Sequence, residues 1–260
     1  MSTKFNTDSI RNVAVTGHSD TGKTSVVAAM LFNGGAVNRL LKVDDGNTVT
    51  DFDEDEHERK ITINTATAHF EHRNTKVNLI DTPGYSIYTT DAMQGLRVAD
   101  ASLLLISAVS GVEIQTDKMW KASAANELPV LFGINLMDRD RASFSRTLAA
   151  LQKKWGREVT PVQVPIGEEA GFKGVVDLIS GKAYTWESDE SGTPSEIDVP
   201  GDLADEVSTA REALMEMVPN RTRISWTPIS RPVSWTPRLS SGVSKKPSSR
   251  VRSSRSLRSP

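Results

Sequence analysis

Cysteine is absent from the 260-residue chain, which excludes a disulfide framework, a Cys-ligated zinc or iron–sulfur site and thiol catalysis. Long apolar runs are absent as well. The longest, Ser102 to Val109, falls far short of the roughly 20 residues that a spanning helix needs, and Met1 to Arg11 lacks the apolar centre of a secretion signal. A cytoplasmic protein with no membrane partner is expected. Acidic side chains are missing from one stretch only. Residues 219–260 hold eight Arg, two Lys and no Asp or Glu, a charge of +10, whereas residues 1–218 hold 21 basic and 33 acidic side chains, a charge of -12. Those last 42 residues also contain twelve Ser, six Pro and only seven Leu, Ile, Val or Phe. Such a composition buries too little apolar surface to offset chain entropy, so a disordered basic tail is expected from Pro219 onward. Three readings of it stay open: an out-of-frame translation, functionless disorder, or a nucleic-acid arm in which Trp226 and Trp235 stack on bases.

What is present before the tail is an ordered alternation. Asn12 to Thr16 reads as a short buried strand, followed by a Gly-bounded loop and a helix over Ser25 to Leu31. A polar, acid-rich stretch from Lys42 to Lys60 comes next. Ile61 to His72 and Lys76 to Ile80 then read as a hairpin turning at Arg73-Asn74. Beyond it the pattern runs helix (Thr90 to Ala99), strand (Ser102 to Ala108), helix (Thr116 to Glu127), strand (Val130 to Asn135), helix (Phe144 to Trp155), strand (Val159 to Val164). Alternating strands and helices predict an α/β fold, a mostly parallel sheet with helices on both faces, and such sheets bind ligands beyond the carboxyl ends of their strands.

Three motifs fall at those ends. Gly17-His18-Ser19-Asp20-Thr21-Gly22-Lys23-Thr24 satisfies G-x-x-x-x-G-K-[ST] in full. Its glycines let successive amides face a pyrophosphate, Lys23 reaches the β- and γ-phosphates, and the Thr24 hydroxyl suits Mg²⁺. Asp81-Thr82-Pro83-Gly84-Tyr85 directly follows an apolar strand. Alone it is a turn; after a phosphate loop, Asp81 suits the Mg²⁺ shell and the Gly84 amide the γ-phosphate. Asn135-Leu136-Met137-Asp138 ends another strand. A carboxylate at Asp138 accepts two hydrogens from guanine that adenine does not offer, and Asn135 braces the loop. His69 and His72 stand three apart on a strand and make a poor metal pair.

Together these motifs resemble the translational GTPases, and specifically the N-terminal GTP-binding P-loop NTPase domain of elongation factor G. Val43 to Gly46, Val49 to Asp53 and Ile61-Thr62-Ile63 look like its first switch, and Gly167 to Asp177 like the start of its inserted subdomain. The resemblance implies a GTP-binding core over residues 1–166, a partial inserted subdomain over 167–218, and a chain truncated within it. It also implies GTP or GDP and Mg²⁺ as cofactors, with Thr24, Thr62 and Asp81 at the metal and Lys23, Thr62 and Tyr85 as catalytic residues. The ribosome is the implied partner, with no direct DNA binding. The acid-rich run Asp51 to Glu58 is expected to be mobile, with no particular acid required.

Departures from the pattern refine the reading. Tyr85 stands where the family carries a water-orienting His, as in elongation-factor-G-like paralogues. Leu136 replaces a Lys in the guanine loop, Lys60 replaces a Gly, and a final guanine-contacting Ser-Ala turn is not found. The expected function is therefore GTP hydrolysis in support of a ribosomal step. The alternative is a GTP/GDP-binding module with little or no hydrolysis, and a basic-tailed nucleic-acid binder is a third class.

Overall fold

The computed structural model describes residues 5–186 and 193–217, so the tail expected at 219–260 lies outside the described residues. Strand β1 (Ile10–Gly17) is fully buried from Ala14 to Gly17, as a strand covered on both faces must be. It enters α1 (Lys23–Asn33) through the loop 18–22. After α2 (Glu54–Arg59), β2 (Ala66–His72) and β3 (Thr75–Asp81) form the anticipated hairpin. Its turn residues Arg73 and Asn74 both take positive φ, 46° and 60°, the twist that tight two-residue hairpin turns require. The chain continues through α3 (Thr89–Arg97), β4 (Ala101–Ser107), α4 (Ile114–Ala125), β5 (Val130–Asn135) and α5 (Phe144–Trp155).

These strands form a five-stranded sheet in the order β2-β3-β1-β4-β5, parallel except for β2. Side chains alternate across it. Ala14, Ile80 and Leu104 pack with Ala92 and Leu96 of α3 and Met119 of α4, while Val15, Leu79 and Leu105 pack with Val27 and Leu31 of α1. Helices therefore lie on both faces, as the alternation predicted. Trp120, Phe132 and Trp155 close the α4–α5 side, their ring centroids 4.9 to 5.4 Å apart. On the α1 side, β5 is less well covered, and Leu131 is 57% exposed.

The last expected strand needs correction. Residues 159–162 are not a strand, and β6 (Gln163–Ile166) does not extend the parallel sheet. It forms instead the edge of an antiparallel sheet, β6-β7-β8-β9, with β7 (Gly174–Asp177), β8 (Lys182–Thr185) and β9 (Ser195–Ile197). Pro161 and Pro165 explain the change, because proline donates nothing to a ladder and is confined to edges and strand starts. The helix α6 (Ala204–Met217) covers this second sheet, its Val207 packing with Val164, Val176, Leu178 and Ala183. The second sheet thus begins before the expected boundary at 166. Among the described strands, none pairs with the outer edge of β5, and a cavity of about 490 Å³ lies beside that edge, lined in part by Phe132, Trp155, Val159, Val162 and Val175.

Candidate functional site

The carboxyl ends of β1, β3, β4 and β5 lie in one register direction, which gathers the loops that follow them. In the first of these loops Asp20 (φ 59°) and Gly22 (φ 80°) are both left-handed, a turn that aims main-chain amides inward. Gly22 is also the N-cap of α1 and supplies no side-chain cap, so the helix's first amides keep their capacity for an anion. A Cβ on Gly22 would stand 2.5 Å from Asn135 Nδ2. Glycine there lets Asn135 reach the loop and donate to the Thr21 carbonyl at 2.9 Å.

Lys23 is 6% exposed, and its Nζ donates to the His18 carbonyl at 2.6 Å. Burial pushes its ammonium down to about 8, against the pull of Asp81, Asp20 and Asp51. Gly84 approaches the same point, since a Cβ there would collide with Lys23 Nζ, the His18 carbonyl and the Ser19 amide. The phosphate loop and the loop after β3 therefore converge on Lys23, and Thr82 Oγ1, donating to the Val15 carbonyl at 2.8 Å, ties the second loop to β1.

The candidate metal residues also meet. Thr62 Oγ1 donates to Asp51 Oδ1 at 2.9 Å, so the 2.9 Å bond between the Thr24 and Thr62 hydroxyls has Thr24 as donor. Asp81 accepts from Thr50 Oγ1 at 2.7 Å. Burial raises the Asp81 carboxyl to about 6 and also raises that of Asp51, in each case against a threonine hydrogen bond. One oxygen of each carboxylate, Asp51 Oδ2 and Asp81 Oδ1, is buried without a hydrogen-bond partner. Two hydroxyls and two carboxylates with unsatisfied oxygens make a hard, oxygen-only donor set that suits a divalent cation such as Mg²⁺.

Thr50, Asp51 and Glu56 were not singled out by the motifs. The run Asp51 to Glu58, expected to be a mobile charged stretch needing no particular acid, contains all but the last residue of α2 and two buried acids. Asp51 is 2% and Glu56 1% exposed. Glu56 accepts from the amides of Phe52, Asp53, Ile63 and Asn64 at 2.9 to 3.2 Å, so one carboxylate fastens the segment that delivers Thr62. A signal for it was present: Asp53 and Glu56 have capping-box spacing, and the box is formed. Lys60 ends α2 at φ 54°, a left-handed position that favours the glycine expected there.

The remaining candidates stand farther out. Tyr85 is 36% exposed at the start of the turn that follows Gly84. Ser19 is half-buried, Thr21 and Pro83 are buried. In the loop after β5 Asp138 is exposed, and Leu136 has a left-handed backbone, φ 61°. Met137 is 7% exposed and packs with Ala108, Ala142 and Phe172, so its side chain serves the core.

Comparison with known proteins identifies the family. Residues 8–223 match the family described as the elongation factor Tu GTP binding domain. The chain is 35% identical over 210 residues to elongation factor G of Mycoplasma pneumoniae, covering 81% of this chain and 30% of that protein. It is 36% identical over 223 residues to a mitochondrial ribosome-releasing factor 2 of Debaryomyces hansenii, covering 80% of this chain and 26% of that one. A solved Thermus thermophilus structure superposes with a TM-score of 0.75 at 30% identity, covering 80% of this chain and 31% of that one. The chain thus spans a third or less of the length of the curated relatives it matches. With the phosphate loop, the sheet order and the match over residues 8–223 in agreement, the chain belongs to the elongation factor Tu GTP-binding domain family, as a P-loop domain of the elongation factor G kind.

Proposed function

We propose that the chain binds GTP with Mg²⁺ and hydrolyses it in a ribosome-linked step of translation, in the cytoplasm. The observation that carries this reading is the meeting of Lys23, the His18–Ser19 peptide and Gly84 beside the Thr24, Thr62, Asp51 and Asp81 oxygens. Inward amides and Lys23 hold the β- and γ-phosphates. Asp138 selects guanine, while Asn135 keeps its loop against the phosphate loop.

In hydrolysis a water attacks the γ-phosphorus in line, the bond to the β–γ bridging oxygen breaks, and GDP leaves with the added charge. When bound, a Mg²⁺ ion would be held by the oxygens of Thr24, Thr62, Asp51 and Asp81 and would supply neutralisation of that charge. Lys23 exchanges the His18 carbonyl for phosphate oxygens. The Gly84 amide donates to the γ-phosphate, and closed Thr50, Asp51 and Thr62 exclude bulk water. Tyr85 offers the attacking water a hydroxyl as a hydrogen-bond partner.

A second reading, a GTP/GDP-binding module with little turnover, is favoured by Tyr85 and by the edge of β5 with which no described strand pairs. Single-turnover GTP hydrolysis with purified ribosomes separates the two. Ribosome-stimulated release of phosphate supports the enzyme, and Tyr85→His should then quicken it. Nucleotide binding without release supports the module.

A further inference from the structure

The start of α4 reaches the His18 side chain of the phosphate loop and Thr89, just beyond the turn that follows Gly84, contacts that none of the three motifs covers. Its N-cap residue is Glu113. Serine, threonine, aspartate and asparagine are the favoured N-caps, and glutamate is not among them. Here the Glu113 carboxylate completes a capping box with Thr116, and one oxygen, Oε1, lies 3.5 Å from His18 Nε2. The additional methylene of glutamate relative to aspartate gives the reach from the helix start to the phosphate loop. His18 is the residue whose carbonyl receives Lys23 and whose peptide link to Ser19 lies against Gly84.

Two residues on, Gln115 is 2% exposed and its Nε2 donates to Thr89 Oγ1, the hydroxyl that itself donates to the Ser86 carbonyl at 2.7 Å. That contact fixes the turn immediately after Gly84 and Tyr85. One helix start therefore contacts the phosphate loop through the Glu113–His18 pair and the segment after Gly84 through Gln115.

We propose that Glu113 and Gln115 are positioning residues that set the width of the γ-phosphate slot, and so decide the preference for GTP over GDP. The proposal rests on the nucleotide reading above. A ligand that ends at the β-phosphate needs only the phosphate loop and barely registers the separation of the walls. A γ-phosphate must touch both.

Glu113→Asp keeps a good N-cap but shortens the reach to His18, whereas Glu113→Gln keeps the length and a polar oxygen at the same reach. The test titrates the full chain and both variants with fluorescent GDP and with a non-hydrolysable GTP analogue, alongside thermal melting. Glu113→Asp should weaken the GTP analogue relative to GDP by roughly fivefold or more, with melting unchanged, and Glu113→Gln should restore most of the ratio. Gln115→Leu should lower the same ratio. An unchanged ratio in Glu113→Asp and in Gln115→Leu overturns the proposal, as does equal weakening of both nucleotides. Failure of the parent chain to bind either nucleotide overturns the nucleotide reading itself, which keeps the two failures distinct.

Discussion

The two sides of the proposed nucleotide site, one for the phosphates and one for the base, are built to different standards. On the phosphate side, β1 has neighbours on both edges, and Lys23, Thr50, Asp51, Asp81 and Thr82 are all buried and joined by hydrogen bonds between three separate segments. On the base side, β5 has one neighbour among the described strands, its Leu131 is exposed, Asp138 faces solvent, and a cavity of about 490 Å³ lies along its other edge. Preorganised groups strengthen electrostatic contacts because they are already desolvated and aligned. Most of the affinity should therefore come from phosphate contacts and comparatively little from the base.

The largest test of that contrast is Lys23→Ala. It should lower guanine-nucleotide affinity by at least about 500-fold, on the order of 4 kcal/mol, measured by calorimetric titration, while leaving the fold intact because a buried ammonium is removed rather than created. Next comes the acid pair. Folding raises the Asp81 carboxyl from 3.8 to about 6, so the folded state holds the extra proton between those values and stability falls as pH rises through that window, by about 3 kcal/mol at most. Urea unfolding without divalent cation should show this slope, and Asp81→Asn should flatten it. Lys23 acts in the opposite sense at alkaline pH: its lowered value, about 8, makes stability rise between there and 10.5.

Smaller effects probe each side singly. Lys60→Gly relieves the left-handed end of α2 and should stabilise the chain by about 1 kcal/mol, read from thermal melting. On the base side, Leu136→Lys restores a cation near the phosphate loop and should tighten GTP binding by about two- to fivefold, the scale of an exposed ion pair. If Leu136→Lys instead outweighed Lys23→Ala, the contrast between the two sides would be broken.

Much of this was legible because local rules governed it. The phosphate loop is a contiguous motif, the Arg73-Asn74 turn announces its hairpin, and the core strands β1, β4 and β5 carry continuous apolar runs. What escaped depended on distant partners. Val159 to Val164 has strand-forming residues, but Pro161 and Pro165 and pairing with β7 assign its end to another sheet. Asp51 and Glu56 resemble their exposed acidic neighbours in sequence. The capping-box spacing of Asp53 and Glu56 is a local trace of one of them, but the amides of Ile63 and Asn64 and the hydroxyl of Thr62, seven to eleven residues on, are what bury them. Composition averaged over the run hid the two residues that matter. Likewise, the reach of Glu113 to His18 spans nearly a hundred residues and has no local signature.

The measurement that bears most directly on the phosphate-side grip is a calorimetric comparison of GDP with GMP on the full chain in Mg²⁺. Removing the β-phosphate should lower affinity by at least about 100-fold, close to 3 kcal/mol. Equal affinities for GDP and GMP would mean that the base, and not the loop from Gly17 to Thr24, holds the ligand, and would contradict the account.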